Sequence, residues 1–323
     1  MLSGQNTKPK MIKLVYVMTG VEKPEYLNML RISVASAKMR SPDVPVEIVT
    51  DNATGEYLLS NRVFDSENVS VVCADTPENY SIVEKSRYLK TNLRQIVRGD
   101  FLFIDSDTIV CADLSGVCPE ASVSLVLDEH VPLSEQEDGG AMIRAKAARV
   151  GISLDGCTRY FNSGVILSKD DDTARQFFRR WYEKWENTRK PGMHQDQFSL
   201  NAVNAEMDVI EELDGTWNCQ LTAGDAAFAN LRNVKILHYL SIQPHGIYRL
   251  NDISLMRRAL TDEEIGMIAA YPEKQFKPFH FYADDSPEYQ VLNGAQYRLA
   301  YRWYTSRPKL YNTIEKLLSK LRK

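Results

Sequence analysis

The stretch that decides the fold is Phe101-Leu-Phe-Ile-Asp105-Ser-Asp107-Thr-Ile-Val110. Its first part, Phe101–Ile104, is a short apolar run bounded by Gly99-Asp100 and by acids, which is typical of a buried parallel strand. Two carboxylates directly after such a strand occupy the edge where open α/β sheets bind ligands. Side chains at i and i+2 of an extended chain point the same way, so both can reach one divalent cation. Two interpretations stay open here: a metal site, or a polar strand end in which one acid caps a turn.

Strand-like and helix-like runs alternate upstream of this stretch. The upstream strands are predicted at Lys13–Met18, Val46–Thr50 and Val69–Cys73, and the helices over Tyr26–Met39 and Tyr88–Val97. Downstream, strands are predicted at Ser122–Leu127, Gly164–Leu167 and Val234–Tyr239, and a helix follows the N-cap residues Asp171-Asp172-Thr173. This order predicts an α/β fold with a mostly parallel central sheet flanked by helices. Past Ser254 the pattern is mostly helical, so we expect a catalytic domain over residues 1–250 and a helical, basic C-terminal appendage over 251–323.

Composition excludes several classes of protein. The chain has 323 residues, of which 44% are apolar and 25% charged, so wholesale disorder is excluded. The net charge of −4 argues against a nucleic-acid-binding protein, which would carry a basic field. The five cysteines form no C-x-x-C pair, the first ten residues are polar, and no run approaches the length of a membrane span. We therefore expect a cytoplasmic protein with reduced thiols.

The Asp105-Ser-Asp107 pair alone fits two unrelated chemistries. In sugar-nucleotide-dependent glycosyltransferases such a pair holds a cation on the donor diphosphate. In haloacid-dehalogenase-like phosphatases a D-x-D-x-T string makes the first Asp a nucleophile and the second a general acid. Here Thr108 falls one position early for the phosphatase string, and that string normally follows the first strand, whereas three predicted strands precede it in this chain.

Further segments, in the right order, resemble the retaining glycosyltransferases of family 8 and related GT-A folds. Arg159-Tyr-Phe-Asn162-Ser163-Gly164-Val-Ile-Leu167 is similar to the family's F-N-[AS]-G-[VI]-[LI]-L segment, and His194-Gln-Asp196-Gln197-Phe-Ser-Leu-Asn201 to its Q-D-Q-x-x-x-N segment. Val234-Lys-Ile-Leu-His238-Tyr239 resembles the strand that ends in a metal-binding His, and Ser86–Phe101 resembles the helix and strand that lead into D-x-D. The resemblance spans about residues 12–240 and implies a GT-A (Rossmann-like) catalytic domain.

The resemblance implies a metal site at Asp105, Asp107 and His238. Two carboxylates and one imidazole suit Mn²⁺ better than the strongly hydrated Mg²⁺, although either is compatible with the set. The alternative for His238 is a hydrogen-bonded histidine at the end of a core strand.

The resemblance also implies a donor site. Asn162, Ser163 and the Gly164 backbone would lie near the pyrophosphate and the donor sugar, because a glycine permits close approach; N-S-G is also an ordinary turn. Asp128, at the end of a predicted strand, matches an Asp that holds donor hydroxyls. Tyr26 resembles the residue that stacks on the nucleobase, with a plain core tyrosine as the alternative.

Two cations and two further polar residues complete the predicted site. Either Arg87 or Lys90 would reach the donor phosphates; the alternative is a pair of solvated helix cations. Asp196 and Gln197 are the predicted catalytic pair, with Gln197 near the anomeric carbon on the acceptor side. The alternative is that Asp196 simply caps a helix that starts at Gln197.

The chain departs from the family in two places. The family commonly follows its metal histidine with G-x-x-K-P-W, whose Lys binds a phosphate, but no such Lys follows His238; His245 and Arg249 are candidate substitutes. The loop Thr19-Gly20-Val21 also lacks the acidic residue that often reads uracil.

The leading functional prediction is a metal-dependent hexosyltransferase. By resemblance, it would move a hexose from a nucleotide-sugar donor, most simply UDP-linked, to a glycan, glycolipid or other saccharide acceptor with retention. A phosphatase that uses Asp105 and Asp107 is one alternative, and a non-catalytic sugar-nucleotide or glycan-binding protein is the other.

The C-terminus differs in charge from the rest of the chain. Residues 296–323 contain eight basic side chains and one acidic one, so the remainder of the chain carries a net charge of −11. Aromatic residues interleave with arginines here, and after Pro308 an apolar stripe is predicted at Ile314, Leu317, Leu318 and Leu321. Such a segment can lie on an anionic membrane surface, here the inner face of the membrane, or form a packing helix with a solvated basic face.

Overall fold

The computed structural model describes residues 12–189, 193–240, 250, 252–270, 290–291 and 294–321. Within these ranges the strands β1 to β10 are Lys13–Met18, Val46–Thr50, Val69–Cys73, Phe101–Ile104, Thr108–Val110, Val123–Val126, Val165–Ser168, Ile210–Leu213, Cys219–Gln220 and Ile236–His238. The helices α1 to α12 are Pro24–Arg40, Asn52–Ser60, Ile82–Thr91, Leu93–Ile96, Ala141–Arg149, Asp172–Thr188, Gln197–Met207, Gly224–Asn230, Ile253–Met256, Asp262–Ala269, Ala295–Ser306 and Pro308–Leu321.

A seven-stranded sheet in the order β3-β2-β1-β4-β7-β6-β8 forms the centre of the fold. Its neighbouring strands run parallel except at β7, which runs antiparallel to both β4 and β6. The mostly parallel α/β sheet predicted from the alternation of runs is therefore confirmed. β4, the strand that precedes the acidic pair, is the middle strand of the seven.

Helices cover both faces of this sheet because its central strands are apolar on both sides. Along β4, Phe101 and Phe103 pack into one core cluster with α3, α4 and α6, whereas Leu102 and Ile104 pack into a second with α1. All four side chains are buried. This two-sided burial is the reason that the strand reads as a continuous apolar run.

A second, three-stranded sheet in the order β5-β10-β9 begins where β4 ends. The chain leaves the large sheet at Ile104 and enters the small one at Thr108, so Asp105 and Asp107 lie in the link between the two sheets. β10 pairs antiparallel with β5 and places His238 opposite Thr108. This register brings the histidine beside the acidic pair.

The helix predicted over Tyr88–Val97 has different bounds in the structure. α3 begins at Ile82, because Ser81 and Glu84 form a reciprocal capping box there. It ends at Thr91, where the C-cap residue Asn92 donates from its side chain to the Tyr88 carbonyl at 2.8 Å, and α4 follows as a separate turn. The earlier start matters for function, since it places Arg87 and Lys90 in the last two turns of a well-anchored helix.

Residues 253–269 pack against α1. Asn28 donates from its amide nitrogen to the carbonyls of Met256 and Arg258, both at 2.8 Å, and Arg31 donates to the Leu260 carbonyl at 3.0 Å. Side chains of α9 and α10 share a buried cluster with α1 and the small sheet. The division of the chain at residue 250 remains a prediction.

The C-terminal helices α11 and α12 carry large exposed apolar side chains. These are Tyr297, Leu299, Trp303, Leu310, Leu317 and Leu318. None of the helices in the described part of the chain is long and apolar enough to cross a membrane.

His130 connects the two sheets, and its burial makes the free energy of unfolding depend on pH. Its Nε2 atom accepts a hydrogen bond of 3.1 Å from the backbone N–H of Gln220 in β9, and burial lowers the pKa of His130 to about 4. The unfolded chain therefore binds a proton at a higher pH than the folded chain. Between about pH 6.5 and 4 the free energy of unfolding should fall by up to about 1.4 kcal/mol per pH unit from this group.

His130→Gln offers the matched test, because the glutamine keeps an acceptor and does not titrate in this range. Urea unfolding of both proteins should give stabilities that converge as the pH falls towards 4. Curves for the two proteins that stay parallel from pH 7 to 4 would contradict the assignment.

Candidate active site

Asp105, Asp107 and His238 converge at the end of the central strand. One ligand atom from each of the three side chains lies within 4.8 Å of the others, and His238 Nε2 is 3.3 Å from Asp107 Oδ1. The turn between the two acids is closed by the Thr108 hydroxyl, which donates to the Asp105 carbonyl at 2.8 Å. Two carboxylates and an imidazole that face one point are a donor set for a divalent cation, so these residues fit the predicted metal.

Charge supports the same conclusion. Burial raises the pKa of Asp105; Lys90 lowers it in part, and the like charge of Asp107 raises it further. Two carboxylates held this close, with partial burial, gain from a cation between them.

Lys90 is almost wholly buried beneath the acidic pair. Its Nζ atom donates to both carboxylate oxygens of Asp105 at 3.1 and 3.2 Å and to the Ser163 hydroxyl at 3.3 Å, and lies 3.6 Å from Asp196 Oδ2. Its side chain is only 2% exposed. The alternative of a solvated helix cation is therefore wrong for Lys90, whose hydrogen atoms already point at protein groups. A direct contact of Lys90 with donor phosphates remains a prediction.

Arg87 lies one turn earlier on α3 and pairs with Asp196. Its Nε atom is 3.0 Å from Asp196 Oδ1, close enough for an ion pair but not aligned for a hydrogen bond. Burial would lower the pKa of Arg87, but the carboxylates of Asp196, Asp105 and Asp107 outweigh it and raise that pKa. Arg87 is about one-third exposed, so unlike Lys90 it still faces the space above the acids.

Asp196 is held by the two cations rather than by the helix that follows it. It occupies the N-cap position of α7, but its side chain makes no capping hydrogen bond. Its carbonyl accepts from Trp181 Nε1 at 2.9 Å, which fixes the backbone. Burial alone would raise the pKa of Asp196, but Lys90 and Arg87 lower it below the usual value. The helix-capping alternative is therefore wrong.

The Asn162-Ser163-Gly164 turn lies against the imidazole of His238. A Cβ at position 164 would overlap the imidazole of His238, so only glycine fits there. The close approach expected for this glycine is thus made to a protein side chain. Asn162 uses its whole amide: Oδ1 accepts from Gly164 N–H, and Nδ2 donates to Asp128 Oδ1 at 2.8 Å.

Gln197, the first residue of α7, reaches the same turn. Its Oε1 atom accepts from the Ser163 backbone N–H at 3.2 Å, so its amide nitrogen is left for Asp128 and Tyr160. Burial raises the pKa of Asp128, partly offset by the hydrogen bonds from Asn162 and Gln197. Asp128, Asn162, Ser163 and Gln197 therefore form one connected polar wall.

A cavity of about 370 Å³ opens above the acidic pair. Thr19, Tyr26, Arg87, Asp105 and Asp107 are among its lining residues. A larger cavity of about 700 Å³ lies between α4 and α6, and its lining includes none of the predicted site residues. The smaller cavity is the better candidate, because the titratable groups of the site converge on it.

Two buried amides at this site were not predicted. Asn218 Oδ1 lies 2.8 Å from His238 Nδ1, and Gln220 Oε1 accepts from the Glu129 backbone N–H at 3.0 Å and from Asn162 Nδ2 at 3.4 Å. Their segment, Trp217-Asn-Cys-Gln220, has no periodicity or motif that marks it as functional. His245 and Arg249, the candidate substitutes for the missing Lys, lie outside the described residues.

Comparison with known proteins identifies the fold. The sequence model described as glycosyl transferase family 8 matches residues 24–243, more than half of the chain. No curated protein sequence matches at a significant level.

Among solved structures the chain is similar to the apo bifunctional glycosyltransferase WbbM, with a TM-score of 0.53 and 17% identity over 80% of this chain and 52% of that one. The galactosyltransferase LgtC in complex with donor and acceptor sugar analogs gives a TM-score of 0.51 and 17% identity over 80% and 95% of the two chains. Apo GlyE of Streptococcus pneumoniae TIGR4 gives a TM-score of 0.52 and 15% identity over 79% of this chain and 62% of that one. The chain thus spans about half the length of WbbM, and these similarities show that it has the predicted GT-A fold.

Removal of the Lys90 charge tests the electrostatic balance of the site. Lys90→Met keeps most of the side-chain volume but leaves Asp105 and Asp196 without their buried cation. We expect a loss of about 3 kcal/mol in the free energy of unfolding, measured by urea denaturation without metal. Lys184→Met, which removes a surface pair with Glu206, should cost less than about 1 kcal/mol. Equal losses in the two variants would contradict the buried role of Lys90.

Proposed function

The chain belongs to glycosyl transferase family 8, and we propose that it transfers a hexose from a UDP-linked donor to a hydroxyl of a glycan or glycolipid, with a divalent cation and with retention. That the chain is a glycosyltransferase follows from the family. The proposal of a cation and a nucleotide-sugar donor rests on one observation: Asp105, Asp107 and His238 converge beside a cavity lined by Tyr26 and Arg87.

Family membership removes both alternative functions. A phosphatase would need its acidic string after the first strand of the domain, whereas here three strands of the same sheet precede the string in the chain. The acids also lie in a link between two sheets, with a histidine from the second sheet beside them. Membership in a glycosyltransferase family also argues against a protein that only binds sugars.

In the proposal, Asp105, Asp107 and His238 hold Mn²⁺ or Mg²⁺. When bound, the cation offsets the negative charge that develops on the diphosphate as the glycosyl–phosphate bond breaks. The mixed oxygen and nitrogen set favours Mn²⁺. Lys90 keeps the Asp105 carboxylate in place from below, so that its oxygens are positioned before the ligand arrives.

The donor would lie in the cavity above these residues. Tyr26 offers a ring for the nucleobase, and the partly exposed Arg87 guanidinium provides positive charge towards the diphosphate. No lysine follows His238 at the position usual in the family, so we propose that Arg87 supplies the protein cation for the phosphates. The polar wall of Asp128, Asn162 and Ser163 would face the hydroxyls of the donor sugar.

Gln197 and Asp196 would flank the anomeric carbon. The Gln197 amide is oriented by the Ser163 N–H, and a neutral amide is a poor nucleophile. The Asp196 carboxylate is engaged by Lys90 and Arg87, whose charges lower its pKa and its nucleophilicity. Neither group is therefore suited to form a covalent glycosyl intermediate. This supports attack by the acceptor on the same face that the diphosphate leaves.

For the acceptor we propose a saccharide at an anionic membrane surface. The α11–α12 segment combines exposed Trp303, Leu317 and Leu318 with the exposed cations Lys309, Lys316 and Lys320. Basic and apolar side chains together bind anionic lipid, with about 1 kcal/mol from each lysine near the surface. An inner-leaflet location would bring the enzyme to a lipid-linked or envelope glycan.

Asp107→Asn tests the metal-dependent reaction. The variant keeps the side-chain shape but loses a charged ligand, so Mn²⁺-dependent hydrolysis of a UDP-hexose should fall by at least about 100-fold. The control is Asp172→Asn, a change to a fully exposed acid at the start of α6, which should leave the rate unchanged.

The identity of the donor is tested by thermal shift. The melting temperatures of the unaltered protein and of Asp107→Asn are measured with a panel of nucleotide sugars, with and without Mn²⁺. We expect the largest rise in melting temperature for a UDP-hexose with Mn²⁺, and none in Asp107→Asn. Metal-dependent turnover retained in Asp107→Asn would overturn the metal site. A larger shift with a GDP- or CMP-linked sugar would overturn the choice of UDP.

Charge removal from the C-terminal helices tests the membrane proposal. The triple change Lys309→Gln, Lys316→Gln and Lys320→Gln should weaken binding to phosphatidylglycerol-containing vesicles by about 100-fold, because three surface attractions are lost. The measurement is cosedimentation with vesicles at low salt.

A second triple variant, Lys23→Gln, Arg62→Gln and Lys146→Gln, changes the net charge equally at exposed positions elsewhere and should bind like the unaltered protein. Equal vesicle recovery for the two triple variants would refute a specific role for the tail.

A further inference from the structure

Buried amide side chains connect His238 to Asp128 in the polar wall. His238 Nδ1 is 2.8 Å from Asn218 Oδ1, and Asn218 Nδ2 donates to Asn162 Oδ1 at 2.9 Å. Asn162 Nδ2 in turn donates to Asp128 Oδ1 at 2.8 Å. Asn218 is completely buried, and Asn162 and His238 nearly so. The two links that Asn218 makes, to His238 and to Asn162, are therefore shielded from water.

The direction of each hydrogen bond among these amides follows from one backbone group. The Gly164 N–H can only donate, and it points at the Asn162 side-chain oxygen at 2.9 Å. The other end of the Asn162 amide faces the Asp128 carboxylate, an acceptor, which requires the NH₂ group there. The orientation of the Asn162 amide is thus determined at both ends.

The orientation of Asn162 fixes that of Asn218 and, through it, the position of a proton on His238. Since Asn162 presents an oxygen, Asn218 must turn its NH₂ group towards it, and the Asn218 oxygen must then face the imidazole. An amide oxygen only accepts, so His238 carries its proton on Nδ1. In the neutral imidazole the Nε2 atom, 3.3 Å from Asp107 Oδ1, then has its lone pair on the side of the acidic pair.

We propose that Asn218 is a positioning residue that selects the Nδ1–H tautomer of His238, and so keeps Nε2 available as a metal ligand. This inference rests on the proposed function, in which His238 binds the cation. The partner of the second ring nitrogen orients a metal-binding histidine and contributes about 10- to 100-fold to metal affinity. Through Asn162 and Asp128, the polar wall and His238 belong to one hydrogen-bond network.

Two substitutions at position 218 distinguish the effect of the hydrogen-bond acceptor from the effect of side-chain volume. Asn218→Leu has nearly the same volume but cannot accept from Nδ1, so the Nε2–H tautomer becomes accessible. Asn218→Asp keeps an oxygen towards His238 and should retain the Nδ1–H tautomer. Asn204→Leu is the control for loss of a buried amide, since Asn204 bonds to the backbone after α7 and not to His238.

The first readout needs no metal and no activity. Long-range ¹H–¹⁵N correlation spectra of histidine-labelled protein at about pH 8, above the ordinary titration range of histidine, distinguish the two tautomers. His238→Gln identifies the signal among those of the five histidines. We expect Nδ1–H in the unaltered protein, in Asn218→Asp and in Asn204→Leu, and Nε2–H in Asn218→Leu. An Nε2–H tautomer in the unaltered protein would overturn the proposal even if no variant folds.

The second readout is Mn²⁺ affinity by titration calorimetry. Asn218→Leu should bind Mn²⁺ about 10- to 100-fold more weakly, and Asn218→Asp and Asn204→Leu within a few-fold of the unaltered protein. Mn²⁺ binding that is unchanged in Asn218→Leu would overturn the positioning role while the proposed function stands. The predicted tautomers in a protein that binds no Mn²⁺ would support the assignment of Asn218 and overturn the metal-dependent function instead.

Discussion

The antiparallel pairing of β5 with β10 is the constraint on which the site depends. It sets His238 opposite Thr108, and the Tyr239 N–H adds a hydrogen bond of 3.1 Å to the Asp107 carbonyl. Because side chains alternate along a strand, a slip of one residue would turn the imidazole to the other face. With the register fixed, the ring lies against residue 164, where only glycine leaves room for it. The positions of His238, the acidic pair and the glycine turn relative to one another therefore depend on one strand pairing.

Charge balance is the second condition for this arrangement. The candidate site contains four carboxylates, Asp105, Asp107, Asp128 and Asp196, of which the first two line the cavity, and α3 supplies two cations against them. Lys90 is buried and pairs with Asp105, whereas Arg87 stays partly open and pairs with Asp196. The protein cations thus offset part of the charge, and the outer side of the acidic pair is where we propose that a metal and a diphosphate bind. The earlier start of α3 at a capping box matters here, since it anchors both cations on one helix.

The large sheet was predictable because its central strands are continuous apolar runs, and the bounds of β1 to β4 agree with the structure. The site was predictable in part. Asp105 and Asp107 follow from the strand that precedes them, but His238 is more than a hundred residues away, and only the family resemblance joins it to them. Helical periodicity treats Lys90 as a surface cation, since local sequence contains no information on the acids that a tertiary contact brings to it. Asn218 escaped prediction for the same reason: a lone amide in a short turn becomes meaningful only when its partners are known.

In our proposal, Asp105, Asp107 and His238 hold the divalent cation of a nucleotide-sugar transferase. Anomalous diffraction at the manganese edge, from crystals grown with Mn²⁺ and UDP, tests it directly. We expect an anomalous peak within about 2.6 Å of a carboxylate oxygen of each acid and of His238 Nε2, with the diphosphate on its open side. A nucleotide bound in the cavity with manganese elsewhere, or with no manganese peak at these residues, would contradict it.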